Sequence, residues 1–361
     1  MAKKANRGQP ASPVARSKAP TMADIARVAG VSTATVSRAL AGLPPITEET
    51  RKRVEQAAQT AGYKINRHAR SLRSQRSRII LVVIPNLANQ NFPDILESID
   101  RAAFELGYDV MIGHLGSNPA RAERLTDELL TGGIDGILLT SRFSPARLVE
   151  RIKAGDRLPI VRTLSPGEAG DPIDSILIDE EQAAYDVVRH LLDSGRRRIA
   201  YLNGPVDEPP AILRRRGWRR ALAEAGQPYE PHDLLQGGFD LQDGRDVAHR
   251  LLSEGKLPDA VFCSNDESAF GLMTELKAAG VRIPEDIAVA GFDDLSFSHL
   301  FDPPLTTIRL PRKEMAKASL RYLTRLIDGA PPIGNQTVPH ELIIRRSSTP
   351  IVARSHRRLE K

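Results

Sequence analysis

At 361 residues, with 41% hydrophobic and 27% charged side chains, the chain can bury the cores of two or three conventional domains, which excludes a disordered polypeptide. A lone cysteine, Cys263, excludes a disulfide scaffold and a cysteine-based zinc site, and its apolar run Asp259–Cys263 makes it a small core residue rather than a nucleophile. The formal charge of +6 hides an asymmetry: residues 1–78 hold 16 Lys or Arg against 4 Asp or Glu, a net of +12, and the remainder carries −6.

A basic head on an acidic body suits a polyanion binder, because the head gains from counterion release while phosphate repels the body. The head lacks the large apolar face that an anionic membrane would need, and no window is apolar over the length of a membrane span. Residues 1–20, with Lys3, Lys4, Arg7, Arg16, Lys18 and three prolines, lack the apolar stretch of a secretory signal and read as a disordered basic arm or a solubilising tail.

Next, Thr21–Leu40, TMADIARVAGVSTATVSRAL, holds two short helical patterns that meet at Ala29-Gly30-Val31, where only a tight turn fits. The spacing predicts a helix-turn-helix, whose second helix enters a DNA major groove. Thr21 followed by Asp24 is a capping-box-like start, Ile25, Val28 and Ala29 give the first helix an apolar stripe, and Ser32 can cap the second. On the second helix Val31, Val36, Ala39 and Leu40 share one side, which leaves Thr33, Ala34, Ser37 and Arg38 on the other. Short side chains let a backbone approach base edges, and Arg38 can pair with guanine or phosphate. An amphipathic hairpin that met only water would carry longer charged residues there.

A third helix is expected from Thr47-Glu48-Glu49-Thr50 to Ala61, with Gly62 as its stop and Val54 and Ala58 packed on the first two. The following segment, Asn66 to Arg76, is too short for a stable lone helix and too charged for a core, so it reads as a conditional helix. Leu72, its one large apolar residue, is either a stray linker leucine or a minor-groove wedge.

From Arg78 onward strands and helices alternate. Strands are expected at Ile79–Ile84, Asp109–Ile112 and Ile134–Thr140, with helices from about Pro93 to Leu106, to about Leu130, and after Thr140. The pattern restarts at Ile176–Ile178 and continues through Ile199–Leu202, Ala260–Cys263 and Ile287–Ala290, each run apolar enough for a strand covered on both faces. Two doubly wound parallel-sheet lobes are implied. Pro303-Pro304 and Pro331-Pro332 suggest that the chain crosses between them more than once, making a hinged cleft with the binding loops at the carboxyl ends of the strands.

These residues resemble the lactose and galactose repressor family of bacterial transcription regulators over nearly all of residues 21–350. The resemblance is carried by Asp24-Ile25-Ala26, Ala29-Gly30-Val31-Ser32, Thr35-Val36-Ser37-Arg38, Gly62-Tyr63, Ala69-Arg70-Ser71-Leu72, Gly291-Phe292-Asp293-Asp294 and Pro304-Leu305-Thr306-Thr307-Ile308, in that order. It implies an all-α helix-turn-helix headpiece at 21–65 and a hinge helix at 66–77. It also implies an α/β core like the periplasmic binding proteins, with lobes at 78–178 with 309–337 and at 179–308 with 338–361. Thr33, Ala34 and Arg38 would touch bases, Thr21, Ser32, Thr35 and Ser37 would complete the duplex-facing set, Leu72 would be the wedge inserted in the minor groove, and Ala69 and Arg70 would contact the DNA beside it.

For the effector, the resemblance places Arg214 on ligand oxygens, Asp293 on ligand hydroxyls, and Asn91, Phe92, Phe239 and Asn265 at the remaining polar and stacking positions. Read by themselves, Arg214 has the alternative of a surface cation in the run Arg214–Arg216, and Asp293 that of a turn cap. Asp294 reads as a loop-structuring residue. Two departures leave the ligand open: Thr163 stands where many sugar-binding members have Asp, and Pro209-Pro210 replace polar residues ahead of Arg214. Asp302–Leu305 and Glu341–Arg345 resemble nucleoside-responsive members as closely as sugar-responsive ones.

The expected protein is a cytoplasmic, nucleoid-associated homodimeric repressor of a palindromic operator, controlled by a sugar, sugar derivative or nucleoside, with no cofactor, metal or membrane. The basic tail Arg354–Lys361 lacks the apolar heptads of a tetramerising coil. An enzyme on the same core is the alternative, but the first strand leads into Ile84-Pro85-Asn86-Leu87 rather than a glycine-rich phosphate turn, and His114, His190, His249 and His299 are scattered. A solute receptor would share the core and lack the headpiece.

Overall fold

The computed structural model describes residues 20–63, 76–86, 89–115, 119–168, 170–227 and 229–349. The basic arm, Ala69, Arg70, Leu72 and the tail Arg354–Lys361 lie outside the described residues. The chain divides into two units, 1–74 and 75–361.

The first unit holds α1 (Met22–Ala29), α2 (Thr33–Ala41) and α3 (Glu48–Thr60). Thr21 starts α1 with a reciprocal capping box, its own N–H donating to Asp24 Oδ2 at 2.9 Å. Gly30 stops it in the left-handed region at φ +65°, a conformation that costs glycine little, and Ser32 Oγ accepts the Thr35 N–H at 3.1 Å to begin α2. Ile25, Ala26, Ala29, Val36, Ala39, Val54, Ala57 and Ala58 form the buried core. Val28, expected in the stripe, is instead 66% exposed, and Ala26 takes its place. At about 100° per residue the buried arc runs through Ile25, Ala29 and Ala26, and Val28 falls roughly 110° from its middle.

In the second unit β1 (Ile79–Ile84), β2 (Asp109–His114), β3 (Gly136–Leu139), β4 (Ile160–Thr163) and β5 (Ser175–Leu177) build a parallel sheet with α4 (Asn91–Glu105), α5 (Pro119–Leu130) and α6 (Ala146–Lys153) between successive strands. The order is β11-β5-β4-β3-β1-β2, where β11 is Gln336–Thr337, returning from much later in the chain. Period-two alternation sorts the strand onto two faces. Ile80, Val82 and Ile84 pack with Ile95 and Ile99 of α4 and with Leu320 and Leu323 of α11 (Arg312–Ile327), whereas Leu81 and Val83 pack with Leu148 of α6.

The second sheet, β7-β6-β8-β9, is also parallel, built from β6 (Ile199–Leu202), β7 (Leu234–Leu235), β8 (Ala260–Cys263) and β9 (Ala288–Ala290). Tyr201 and Phe262 face α7 (Glu180–Asp193) and α8 (Pro209–Glu224), whereas Leu202 and Cys263 face α9 (Leu241–Glu254) and α10 (Asp266–Ala278). Burial in that layer pushes the Cys263 thiol pKa well up, which fits a packing role. A Cβ at Gly217 would collide with the Glu181 carbonyl, so glycine there lets α8 lie against α7.

The chain passes between the lobes after β5, after β10 (Thr307–Arg309) and after β11, and β10 pairs antiparallel with β12 (Glu341–Ile343) beside the second sheet. The two expected proline pairs stand several residues upstream of these passages, which themselves carry Pro311 and Pro339. Among the described residues no helix is long and apolar enough to cross a membrane.

Candidate functional site

In the first unit Ser32, Thr33, Ala34 and Arg38 are exposed, and Thr35 and Ser37 are half-buried. Thr33, Ala34 and Arg38 thus turn away from the Ile25/Val36/Val54 core. Thr21, Ser32 and Thr35 have a second task, since the Thr21 hydroxyl donates to Asp24 Oδ2 at 2.7 Å and the Ser32 and Thr35 hydroxyls lie 2.9 Å apart. They hold the helix starts that aim the outward residues.

The second unit contains a cleft of about 780 Å³. Its wall comes from segments at the carboxyl ends of parallel strands: Pro85 after β1, Leu115 after β2, Thr140–Phe143 after β3, Leu164 after β4, Pro205 after β6, Gly238–Asp240 after β7, Asn265 after β8 and Asp293 after β9. Asn91, Phe92, Arg214, Phe239, Asn265 and Asp293 all line it.

Arg214 is only 5% exposed and therefore no surface cation. Its Nε donates to Glu180 Oε2 at 2.7 Å, Nη1 donates to the Ser264 carbonyl, and the guanidinium lies 3.6 Å from the Phe292 ring centroid. Burial opposes its charge, yet the carboxylates of Glu180 and Asp293 outweigh that and hold its pKa above the ordinary value.

Asp293, also 5% exposed, has φ +117°. Its backbone is fixed by N–H donation to the Ile308 carbonyl at 2.9 Å, but its carboxylate receives no hydrogen bond from any described residue. Burial above all, with Asp266 adding to it against the pull of Arg214, pushes its pKa up to about 7. Next to it Asp294 pairs with Arg309 and Arg345, each at 2.7 Å, and so anchors the loop as its sequence position suggests. Asp266 holds the same loop from α10, accepting from Leu295 N at 2.9 Å, from Thr307 Oγ1 at 2.6 Å and from the Ser298 hydroxyl.

Asn265 is committed to structure, since Oδ1 caps α10 and Nδ2 donates to the Phe239 carbonyl at 2.7 Å. Asn91 Oδ1 accepts two bonds from Arg312, at 3.0 and 2.7 Å, while Arg312 Nη2 also donates to the Asp293 carbonyl at 2.8 Å. One guanidinium at the start of α11 therefore ties the two walls of the cleft together. The Gln90 N–H donates across the same gap to Glu267 Oε1 at 2.7 Å. Thr163 is fully buried, with its hydroxyl on the Ile176 carbonyl at 3.0 Å, and so is satisfied inside the sheet.

Arg312, Glu180 and Arg162 escape the sequence reading. Arg162 is fully buried in β4, paired with Asp171 at 2.6 Å and bonded to Ser141 and Ser144, which shapes the loop presenting Arg142 and Phe143. For Arg312 a signal existed: an arginine in the first turn of a helix opposes the helix dipole and calls for another reason to be there.

Against known proteins, residues 21–66 match the bacterial regulatory proteins of the lacI family, and residues 77–349 match the periplasmic binding proteins and sugar binding domain of the LacI family. The HTH-type transcriptional repressor CytR of Escherichia coli strain K12 is 34% identical over 331 residues, which span 91% of this chain and 96% of that protein. Catabolite control protein A of Priestia megaterium is 31% identical over 331 residues, 91% of this chain and 99% of that one. The lac repressor dimer bound to operator and the anti-inducer ONPF superposes with a TM-score of 0.82 at 28% identity, covering 92% of this chain and all of that one. CytR and the lac repressor are repressors, so the enzyme alternative falls. The chain belongs to the LacI family and is a DNA-binding transcription regulator.

Proposed function

We propose that the chain represses transcription in the cytoplasm, at the nucleoid, as a homodimer that reads a palindromic operator and answers to a sugar, sugar derivative or nucleoside held in the cleft. Thr33, Ala34 and Arg38 read bases in the major groove, while residues 66–77 form a paired hinge that inserts Leu72 in the minor groove. The lobes are 78–178 with 309–337 and 179–308 with 338–361. Ligand-driven closure shifts the dimer interface and so decides whether the two hinges fold together.

The observation that carries this reading is the cleft wall, where six residues from five separate stretches of the sequence converge with the buried acceptor Asp293 among them. Selection of duplexes from a random pool by the full-length protein tests it. The expected product is a two-fold symmetric site whose affinity falls in Arg38→Ala and falls steeply with salt. A pool without symmetry, or one bound equally by the variant, would contradict the reading.

A further inference from the structure

We infer that the cleft discriminates by charge, accepting an uncharged, hydroxyl-rich ligand and rejecting the phosphorylated or carboxylated form of the same molecule. This rests on the reading that the cleft holds the effector. Among the described residues lining it, Glu168, Glu208, Asp240, Asp243 and Asp293 supply five carboxylates, Arg142 and Arg214 supply two cations, and there is no lysine.

Each nearby guanidinium is already bonded to the protein. Arg214 is engaged by Glu180 at 2.7 Å and by the Ser264 carbonyl. Arg142 bridges Glu168 and Glu208, at 3.4 Å each. Arg312 is held by Asn91 and by the backbone of Asp293. A phosphate or carboxylate entering here would lose its hydration, meet a wall of its own sign and find Arg214 and Arg142 already paired with carboxylates.

The same wall suits hydroxyl donors. The Asp293 carboxylate is buried, lines the cleft and receives no hydrogen bond from a described residue, so its oxygens can accept O–H groups. Phe92, Phe143 and Phe239 add flat apolar surface against which a ring can lie. A ligand with ring faces and neutral donors satisfies both features without introducing an unpaired charge.

The test is calorimetric titration of the full-length protein with galactose, ribose and adenosine, and with galacturonate, ribose phosphate and adenosine monophosphate as their anionic counterparts. The expected result is binding of at least one uncharged probe and affinity about a hundredfold or more lower for its anion. In the double variant Glu168→Gln with Glu208→Gln, which frees Arg142, the ratio of the two affinities is expected to narrow about tenfold. A purely structural effect of the change would move both affinities together and leave the ratio alone. An anion that binds as tightly as its parent, with binding lost in Asp293→Asn, overturns the charge selectivity and leaves the cleft reading standing. Binding that survives Asp293→Asn and Phe239→Ala overturns the cleft reading itself. A panel in which no uncharged probe binds also counts against the inference.

Discussion

At Asp293 burial keeps the carboxyl protonated to a higher pH than an exposed aspartate would reach. Its pKa rises from the ordinary 3.8 to about 7, under Arg214 and Arg312 on one side and Asp266 and Glu180 on the other. The folded chain then holds a proton that the unfolded chain releases, so this group favours folding below about pH 4 and that contribution is lost as pH rises through about 7. Melting temperatures of wild type and Asp293→Asn between these limits should diverge in favour of the variant as pH rises, then run parallel. A constant difference would contradict the burial argument. Hydroxyl donors favour the ionised form, so ligand binding should release a proton below pH 7, which calorimetry in buffers of different ionisation heat detects.

Arg214 invites a different expectation from the one its sequence position gives. Removing it strands Glu180, 4% exposed, so Arg214→Ala should destabilise the core by about 3–5 kcal/mol in urea denaturation, and adding Glu180→Gln should recover part of that. Full additivity of the two changes would show that the ion pair is not what holds Arg214. Sequence alone placed Arg214 and Asp293 in the cleft through the motif residues around them. It missed Glu180, because a glutamate in the first turn of a helix looks like ordinary dipole compensation.

Among the elements, strands written as apolar runs were legible, and short or charge-bearing ones were not. Ile79–Ile84 and Ala260–Cys263 announce themselves as unbroken apolar runs, whereas β4 contains a charged Arg162 and β11 is only Gln336–Thr337, recruited by pairing with β5. The helix starts were legible because capping is local chemistry: Ser32→Ala should cost the headpiece about 0.5–2 kcal/mol, read by thermal melting, and an unchanged melt would contradict the cap. Arg312 stood out only as a cation at a helix start; its partners, Asn91 and Asp293, were illegible because they belong to elements that only the fold brings together. Arg312→Ala removes the tie at the start of α11 and should widen the ligand-free core in small-angle scattering. An unchanged profile would show that the lobes are held by other contacts, such as that of Gln90 with Glu267.

For the whole molecule, the head at +12 and body at −6 divide the work between gripping a duplex and staying off it. In the proposed repressor, Leu72→Ala should weaken operator binding and reduce duplex bending in a circular-permutation assay while ligand affinity in the cleft stays the same; undiminished bending would remove the wedge. The most direct measurement is of reciprocity between the two units. With the selected symmetric duplex and a ligand that binds the cleft, the factor by which ligand changes duplex affinity must equal the factor by which duplex changes ligand affinity. The expected result is one common factor of about 5–150 from both titrations. A ligand that fills the cleft and leaves duplex affinity unchanged would contradict control of the headpiece by the core.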